Sequence, residues 1–292
     1  MVEKKYVIIS PVRNEEEYVE KTIKSVISQT ILPEEWIFAN DGSKDRTAEI
    51  IESYTKKYPW MKIIHLTDRG YYLPGEGVVN VFYKGFEALS FKEWDFLVKL
   101  DCDLSFEQDY FETLLKRFDQ DPNLGIASGC IYNVIGGKLI KEKSQEDHPF
   151  GASKMYRREC FEEIGGIKRI PGWDLADLLA AQMKNWSTRC YFDVVVAHYK
   201  IGGIRRTGLT KGKFLQGRFQ YRFGYTFFYT LLKSFYHLTS RPFIISGVGL
   251  ITGYIYAVIK KDQRYYDKEM IAFLRKRQKN YLLSKFKLSG SK

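Results

Sequence analysis

Four short apolar runs, Tyr6-Val7-Ile8-Ile9, Trp36-Ile37-Phe38-Ala39, Ile63-Ile64-His65-Leu66 and Phe96-Leu97-Val98-Lys99-Leu100, fix what the front of this chain can become. Each reads as a buried strand, and helical spacing fills the gaps between them. Glu15 to Gln29 places Val19, Ile23, Val26 and Ile27 on one helix face. Asp45 or Thr47 can cap a second helix running to about Tyr58. A Gly/Pro-rich loop, Gly70 to Gly77, precedes a third helix to about Leu89. Phe106 to Phe118 reads as a fourth helix, and Gly125 to Tyr132 as a fifth strand. Pro11 is expected to end the first strand. Strands alternating with helices imply βαβ units, a mostly parallel sheet and helices on both faces. The loops after strands one, two and four then meet at one sheet edge, where open α/β sheets take their ligands.

The fourth strand runs straight into Asp101-Cys102-Asp103. Alternation along an extended chain sends both carboxylates to the same side. Two like charges held together are costly unless a cation or hydrogen-bond donors lie between them. A hard divalent ion bridging a carboxylate to phosphate oxygens would supply that cation. After strand two, Asn40-Asp41-Gly42-Ser43-Lys44-Asp45 offers a carboxylate that could accept hydrogen bonds from a base or ribose. The same residues also make an ordinary Asp-Gly turn with a helix cap.

The second half has a different character. Arg158 to Ile164 and Asp174 to Lys184 read as short helices, and Tyr191 to Ala197 is a β-rich run ending at His198. Gly202-Gly203-Ile204-Arg205-Arg206-Thr207-Gly208 is a glycine-rich basic loop with the character of a lid. Beyond it the segments are aromatic and basic. From Lys200 to Lys292 there are 20 Lys+Arg against 3 Asp+Glu, so the chain's +11 leaves Met1 to Tyr199 at −6. An acidic front with a basic tail predicts two jobs, dividing the chain into residues 1–200 and a lid loop with a basic, aromatic helical region over 201–292. Cys102, Cys130, Cys160 and Cys190 lie far apart with no C-x-x-C pair, which argues against a zinc site or a disulfide framework and fits a reducing compartment. No charged segment followed by an apolar one opens the chain, so no cleaved leader is expected.

Taken in order, the strand-end motifs resemble a known family. Ser10-Pro11-Val12-Arg13-Asn14-Glu15-Glu16 resembles the opening of family 2 glycosyltransferases of the GT-A fold. Ser25-Val26-Ile27-Ser28-Gln29-Thr30 followed by Asn40 to Thr47 resembles that family's second signature, and Asp101-Cys102-Asp103 sits at its metal-binding D-x-D. The resemblance covers roughly Lys5 to Lys200. It implies a GT-A (Rossmann-like) catalytic domain, a nucleotide-diphosphate sugar donor, and inverting transfer of a hexosyl or N-acetylhexosaminyl group. By position, Pro11 and Glu15 would line the nucleoside pocket, Arg13 would belong to the donor site, Asp41 would meet the base or ribose, and Asp101 would lie near ribose and metal. Asp103 would bind Mn²⁺ or Mg²⁺, and His198 would complete the metal shell. Arg205 and Arg206 could clamp the donor diphosphate as the lid closes.

Inverting transfer needs a base for the acceptor hydroxyl. The family takes it from an acidic pair opening a helix. Here Gly172-Trp173-Asp174-Leu175-Ala176-Asp177-Leu178 departs from that pattern, because no adjacent Glu-Asp pair exists. Alignment on Leu178 puts Asp174 at the first acid; Asp177 is the alternative. The Q-x-x-R-W motif of processive members is missing, since Gln182 is followed by Asn185-Trp186 at that spacing. A single transfer per encounter is therefore expected.

Phe243 to Ile259 carries no charge over 17 residues. At ~1.5 Å per residue it would reach about 25 Å, the short limit for spanning a bilayer. A span would also place the basic residues 262–292 across the membrane from the catalytic part, against the positive-inside tendency. A peripheral or monotopic seat on the cytosolic face of an anionic membrane fits better, with a lipid-linked acceptor as the matching substrate. No nucleic-acid partner is expected. Two other readings stay open at this level: a non-catalytic nucleotide-sugar or membrane-binding module, and a nucleotidyltransferase on a similar sheet.

Overall fold

The computed structural model describes residues 4–68, 70, 73, 75–200, 209–238 and 245–289. The chain divides into two compact units, Met1–Lys200 and Ile201–Lys292.

The first unit is built on one mixed sheet. Strands β1 (Tyr6–Val12), β2 (Glu35–Asn40), β3 (Met61–His65) and β4 (Phe96–Leu100) are parallel, in the order β3-β2-β1-β4. Helices α1 (Val19–Ile27), α2 (Thr47–Thr55) and α3 (Glu76–Glu87) connect them. Alternation sorts the strand side chains onto two faces. Ile8, Trp36, Phe38 and Val98 pack with Val19, Ile23 and Ile51, while Val7, Ile9, Ile37 and Leu97 pack with Val79 and Phe82. Strands β1, β2 and β4 are therefore apolar on both faces, which is why they read as continuous runs, while the edge strand β3 buries only Met61 fully.

Beyond β4 the sheet changes direction. Strand β8 (Ser153–Arg157) runs antiparallel between β4 and β6 (Leu124–Ile135), and β9 (Ser187–His198) lies parallel to β6. The short strand β5 (Leu104–Phe106) closes the row antiparallel to β9, and β7 (Lys138–Lys141) hairpins onto β6. Helix α4 (Tyr110–Gln120) covers the α1 face; α5 (Arg158–Glu163) and α6 (Trp173–Met183) contribute to the α3 face.

Several local expectations are corrected. Pro11 does not end β1; it pairs with Ala39 of β2, and β4 accompanies β1 only as far as Ile9, so the missing N–H costs no ladder bond on that side. The predicted 106–118 helix begins four residues later, because Leu104–Phe106 is drawn into the sheet by β9. Strands β7 and β8 were not expected. All four residues of β7 are exposed, and β8 carries a wholly buried lysine, so neither shows the apolar signature of a strand. The four cysteines are free and buried.

The second unit comprises α7 (Leu209–Arg222), α8 (Phe227–Leu238), α9 (Ile245–Ile259) and α10 (Lys268–Ser289). Helices α7 and α9 cross with their backbones nearly touching. A Cβ on Gly217 would collide with the Leu250 carbonyl, and one on Gly253 with that of Phe214. Asp262 then ties the end of α9 to α7, accepting from Arg218 Nε at 2.5 Å and Arg222 Nε at 2.9 Å. Those guanidinium groups hold the Asp262 carboxyl down at about 2. Among the described residues no helix is long and apolar enough to cross a membrane.

Candidate active site

The site lies where β1, β2 and β4 end. Asp101 to Asp103 join β4 to β5, with Cys102 turned into the core between the two acids. The β5/β9 register sets Leu104 opposite His198, which carries the imidazole back to the preceding aspartate. His198 Nε2 lies 3.1 Å from Asp103 Oδ2, and Tyr199 N–H donates to the Asp103 carbonyl at 3.0 Å. Burial opposes a charged His198 ring, but the Asp103 hydrogen bond and charge outweigh it, so its pKa is raised.

Asp103 Oδ1 and His198 Nδ1 are buried with no hydrogen-bond partner, as is Glu15 Oε2. Buried orphans of this kind call for an explanation. An oxygen donor beside an imidazole nitrogen, with phosphate oxygens and water to complete the shell, fits a divalent transition ion; the imidazole suits Mn²⁺ better than Mg²⁺. Among the described residues no group of three or more His, Cys, Asp or Glu side chains is set to hold a metal ion.

Glu15 closes the other side. Lys200 Nζ donates to its Oε1 at 2.6 Å and to the Asn14 carbonyl at 3.1 Å. Burial pushes the Glu15 carboxyl up to about 7; the Lys200 bond pulls the other way, and the Asp103 and Asp101 charges add to the rise. Tyr199, between His198 and Lys200, stacks on Tyr18 with ring centroids 5.6 Å apart. The last turn of chain before the glycine-rich loop is thus pinned across the acids.

The loops after β2 and β3 are tied by Arg13. Its guanidinium donates to the Asp41 carbonyl at 2.9 Å and to Asp68 Oδ1 at 2.8 Å, and lies 3.5 Å from Asp41 Oδ2. Asp68 is held well below the usual carboxylate range, first by the Gly70 N–H and then by Arg13 and Lys44. Gly42, at φ +65°, lets the two loops approach; a Cβ there would come within 2.6 Å of Asp68 Cβ. Asp41 is 7% exposed and stands at the floor of this corner.

Asp174 and Asp177 have opposite surroundings. Asp174 opens α6 half-buried, and Gly151 packs against it, since a Cβ on Gly151 would lie 3.2 Å from Asp174 Cβ. The Gly151–Ala152 backbone also receives Asp101, whose N–H donates to the Ala152 carbonyl at 2.8 Å. Asp101 and Asp174 therefore flank one short stretch of backbone. Asp177 is 0% exposed and wholly engaged, with Lys154 Nζ at 2.7 Å on Oδ1 and the Tyr156 hydroxyl on Oδ2.

Pro11, Arg13, Glu15, Asp41, Asp101, Asp103 and His198 all gather at this edge of the sheet. Arg205 and Arg206 lie outside the described residues. Sequence reasoning missed Asp68, Lys200, Lys99 and Lys154. A charge inside the run Phe96–Leu100 was the available signal for Lys99; the others have no local signature.

A parallel sheet ending in acids, extended through the antiparallel β8 to β6 and a long β9 that returns a histidine to those acids, is the GT-A glycosyltransferase arrangement. The sequence model of glycosyl transferase family 2 matches residues 7–170, and the chain belongs to that family. It is similar to the putative glycosyltransferase EpsH of Bacillus subtilis (strain 168), 28% identical over 173 residues, covering 53% of this chain and 47% of that protein. Among solved structures it is similar to the mannosyltransferase PcManGT from Pyrobaculum calidifontis in complex with GDP-Man and Mn²⁺. That likeness has a TM-score of 0.55 at 15% identity and covers 94% of this chain and 79% of that one. S. aureus TarS 1-349 in complex with UDP-GlcNAc gives a TM-score of 0.51 at 15% identity, covering 89% of this chain and 73% of that one. At such identities the likeness is one of fold. The chain spans half or less of the length of the curated relatives it matches.

Proposed function

We propose that this chain is a metal-dependent, inverting glycosyltransferase that moves one sugar per encounter from a nucleotide-diphosphate sugar to a hydroxyl or phosphate acceptor. The observation that carries the reading is the Asp103–His198 pair at the end of the parallel strands, with buried donor atoms left free of protein partners. Asp103 and His198 would hold Mn²⁺ or Mg²⁺, which when bound offsets charge on the departing diphosphate. The corner built by Arg13, Asp41 and Asp68 would receive the nucleoside. Asp174 would take the acceptor hydroxyl proton as the sugar carbon is attacked. Asp177 is an unfavourable base, because both of its oxygens are spent inside the core. Neighbours of the same fold hold GDP-Man and UDP-GlcNAc, which supports a nucleotide sugar and leaves base and sugar open.

Thermal unfolding with a panel of uridine and guanosine diphosphate sugars, with and without Mn²⁺, tests the reading, because a ligand that binds only the folded state raises its apparent stability. Mn²⁺-dependent stabilisation followed by release of the nucleoside diphosphate is expected. If no donor stabilises the protein and none is cleaved, the reading fails.

We further infer that the second unit seats the enzyme on the cytosolic face of an anionic membrane, close to a lipid-linked acceptor. Phe228 is 61% exposed and Ile259 72%, with Phe227, Phe235 and Val258 also in solvent and Lys260 and Lys261 beside Ile259. No Asp or Glu occurs between Lys200 and Lys261. Apolar side chains interleaved with cations suit a bilayer interface, at about 1 kcal/mol per cation near the surface. Free, buried cysteines agree with a reducing compartment. Co-sedimentation with phosphatidylserine vesicles tests it. Binding that disappears in Phe228→Glu/Ile259→Glu is expected, and a wild-type protein that ignores such vesicles removes the proposal.

A further inference from the structure

Two lysines stand side by side inside the α3 face of the first unit. Lys99 of β4 and Lys154 of β8 are register partners, 3% and 0% exposed. Partners across a strand pair point to the same face, so the two ammonium groups are neighbours in the core. Each has its own acid: Lys99 pairs with Asp101, and Lys154 with Asp177 at 2.7 Å. Both also stand over the ring of Trp173, at 5.1 Å and 5.4 Å from its centroid. Their remaining bonds go to backbone. Lys99 Nζ donates to the Gly151 carbonyl at 3.0 Å and Lys154 Nζ to the Asp174 carbonyl at 2.6 Å.

Burying a pair of like charges is an expensive way to fill a core, since well-packed apolar residues would serve at least as well. The cost makes sense if the charges hold something in place. Lys99 reaches from Asp101 to the backbone that packs on Asp174. Lys154 reaches from Asp177 to the carbonyl of Asp174 itself. The Tyr156 hydroxyl, two residues along β8 on the same face, fixes the other oxygen of Asp177. The first turn of a helix is otherwise free to fray, because its leading N–H groups have no partner within the helix.

We propose that Lys154, Asp177 and Tyr156 form a positioning element, joined to Lys99 through the shared face of Trp173, that sets Asp174 at a fixed place relative to Asp101. Donor end and acceptor end of the reaction centre then hang from one cross-strand pair. These residues touch no substrate; they act through Asp174. The inference rests on the glycosyl-transfer reading for its consequence, though not for its geometry.

Two variants test it. Lys154→Met/Asp177→Leu removes the ion pair as a unit, leaving no lone buried charge, and Tyr156→Phe removes one hydroxyl while keeping the ring. Two readouts are taken on each. The first is release of nucleoside diphosphate from UDP-GlcNAc or GDP-mannose with Mn²⁺ and water as acceptor. The second, which needs no ligand, is hydrogen exchange at Trp173–Ala176. A misplacement of about 1 Å can cost some 10²-fold in rate. We expect kcat to fall at least tenfold with donor KM changed less than twofold, and exchange at Trp173–Ala176 to rise at least tenfold while β1 and β2 stay protected. A role confined to filling the core would lower the unfolding temperature without separating kcat from KM. A folded variant with wild-type kcat, or with wild-type exchange in that first turn, overturns the proposal. Tyr156→Phe carries both readouts if the paired variant does not fold. Should the wild type cleave neither donor, the glycosyl-transfer reading is what fails, and the exchange measurement still decides the positioning role.

Discussion

Asp103 and His198 are 95 residues apart in the chain, and their side chains meet at 3.1 Å. The contact is made by β5 and β9, which pair Leu104 with His198 one residue beyond the aspartate. If this pair holds the metal, Asp103→Ala abolishes the stabilisation that Mn²⁺ gives in the presence of a nucleoside diphosphate. His198→Ala weakens Mn²⁺ at least tenfold without changing the metal-free unfolding temperature by more than a few degrees. Calorimetric titration with Mn²⁺ and UDP or GDP measures both.

If the same pair holds a metal ion, it gives that binding a pH dependence. Asp103 raises the His198 pKa against the opposing effect of burial, and a metal ligand must be the neutral imidazole. Mn²⁺ affinity therefore falls as the pH is lowered, and the fall begins above the ~6.5 of an ordinary imidazole. Titrations between pH 8 and pH 6 check this; a pH-independent affinity would remove His198 from the shell.

Asp174 and Asp177 separate cleanly by variant. If Asp174 is the base, Asp174→Asn keeps donor binding and unfolding temperature and loses roughly 10²–10⁴ in transfer rate, the usual worth of a general base. Asp177→Asn leaves Lys154 without its buried counter-charge and costs about 3–5 kcal/mol of stability. Unfolding in urea beside steady-state kinetics distinguishes the two, and normal turnover by Asp174→Asn would move the base elsewhere.

Glu15 predicts a stability slope. The unfolded carboxyl loses its proton near 4.5, whereas the folded one holds it to about 7. Between those values the folded state binds more protons, so stability falls as the pH rises through that window. Glu15→Gln flattens the slope and is relatively more stable at pH 8 than at pH 5. Thermal unfolding across that range measures it.

Gly42→Ala should damage the corner proposed to receive the nucleoside. The residue sits at φ +65°, and an added Cβ would press on Asp68 at 2.6 Å, so the loops after β2 and β3 must separate. UDP or GDP affinity is expected to drop at least tenfold while the sheet remains folded, as read by calorimetry and circular dichroism.

The parallel half of the sheet was legible because its strands are apolar on both faces and its helices amphipathic. Asp101, Asp103 and His198 could be placed at one sheet edge from the sequence because each stands at the end of a strand, and Asp174 was singled out because it opens a helix, although that helix lacks the family's adjacent acidic pair. The antiparallel half was obscure for a physical reason. Ser153-Lys154-Met155-Tyr156-Arg157 has no apolar alternation to announce a strand, since its buried lysine is tolerated only by partners from β4 and α6. Lys200 and Asp68 were invisible for the same reason, because their meaning comes from acids and guanidinium groups far away in sequence.

The antiparallel register of β8 has a consequence for how such a chain can vary. Sliding that strand by a single position would exchange Lys154 for a neighbour of opposite facing, expelling the ammonium from beneath Trp173 and driving Met155 into its place. Insertions and deletions should therefore accumulate around the Gly136–Gly137 hairpin tip, where added atoms meet nothing, and be purged from the five positions that follow Ala152. If Asp174 is set by this strand, those five positions act as a ruler for the chemistry.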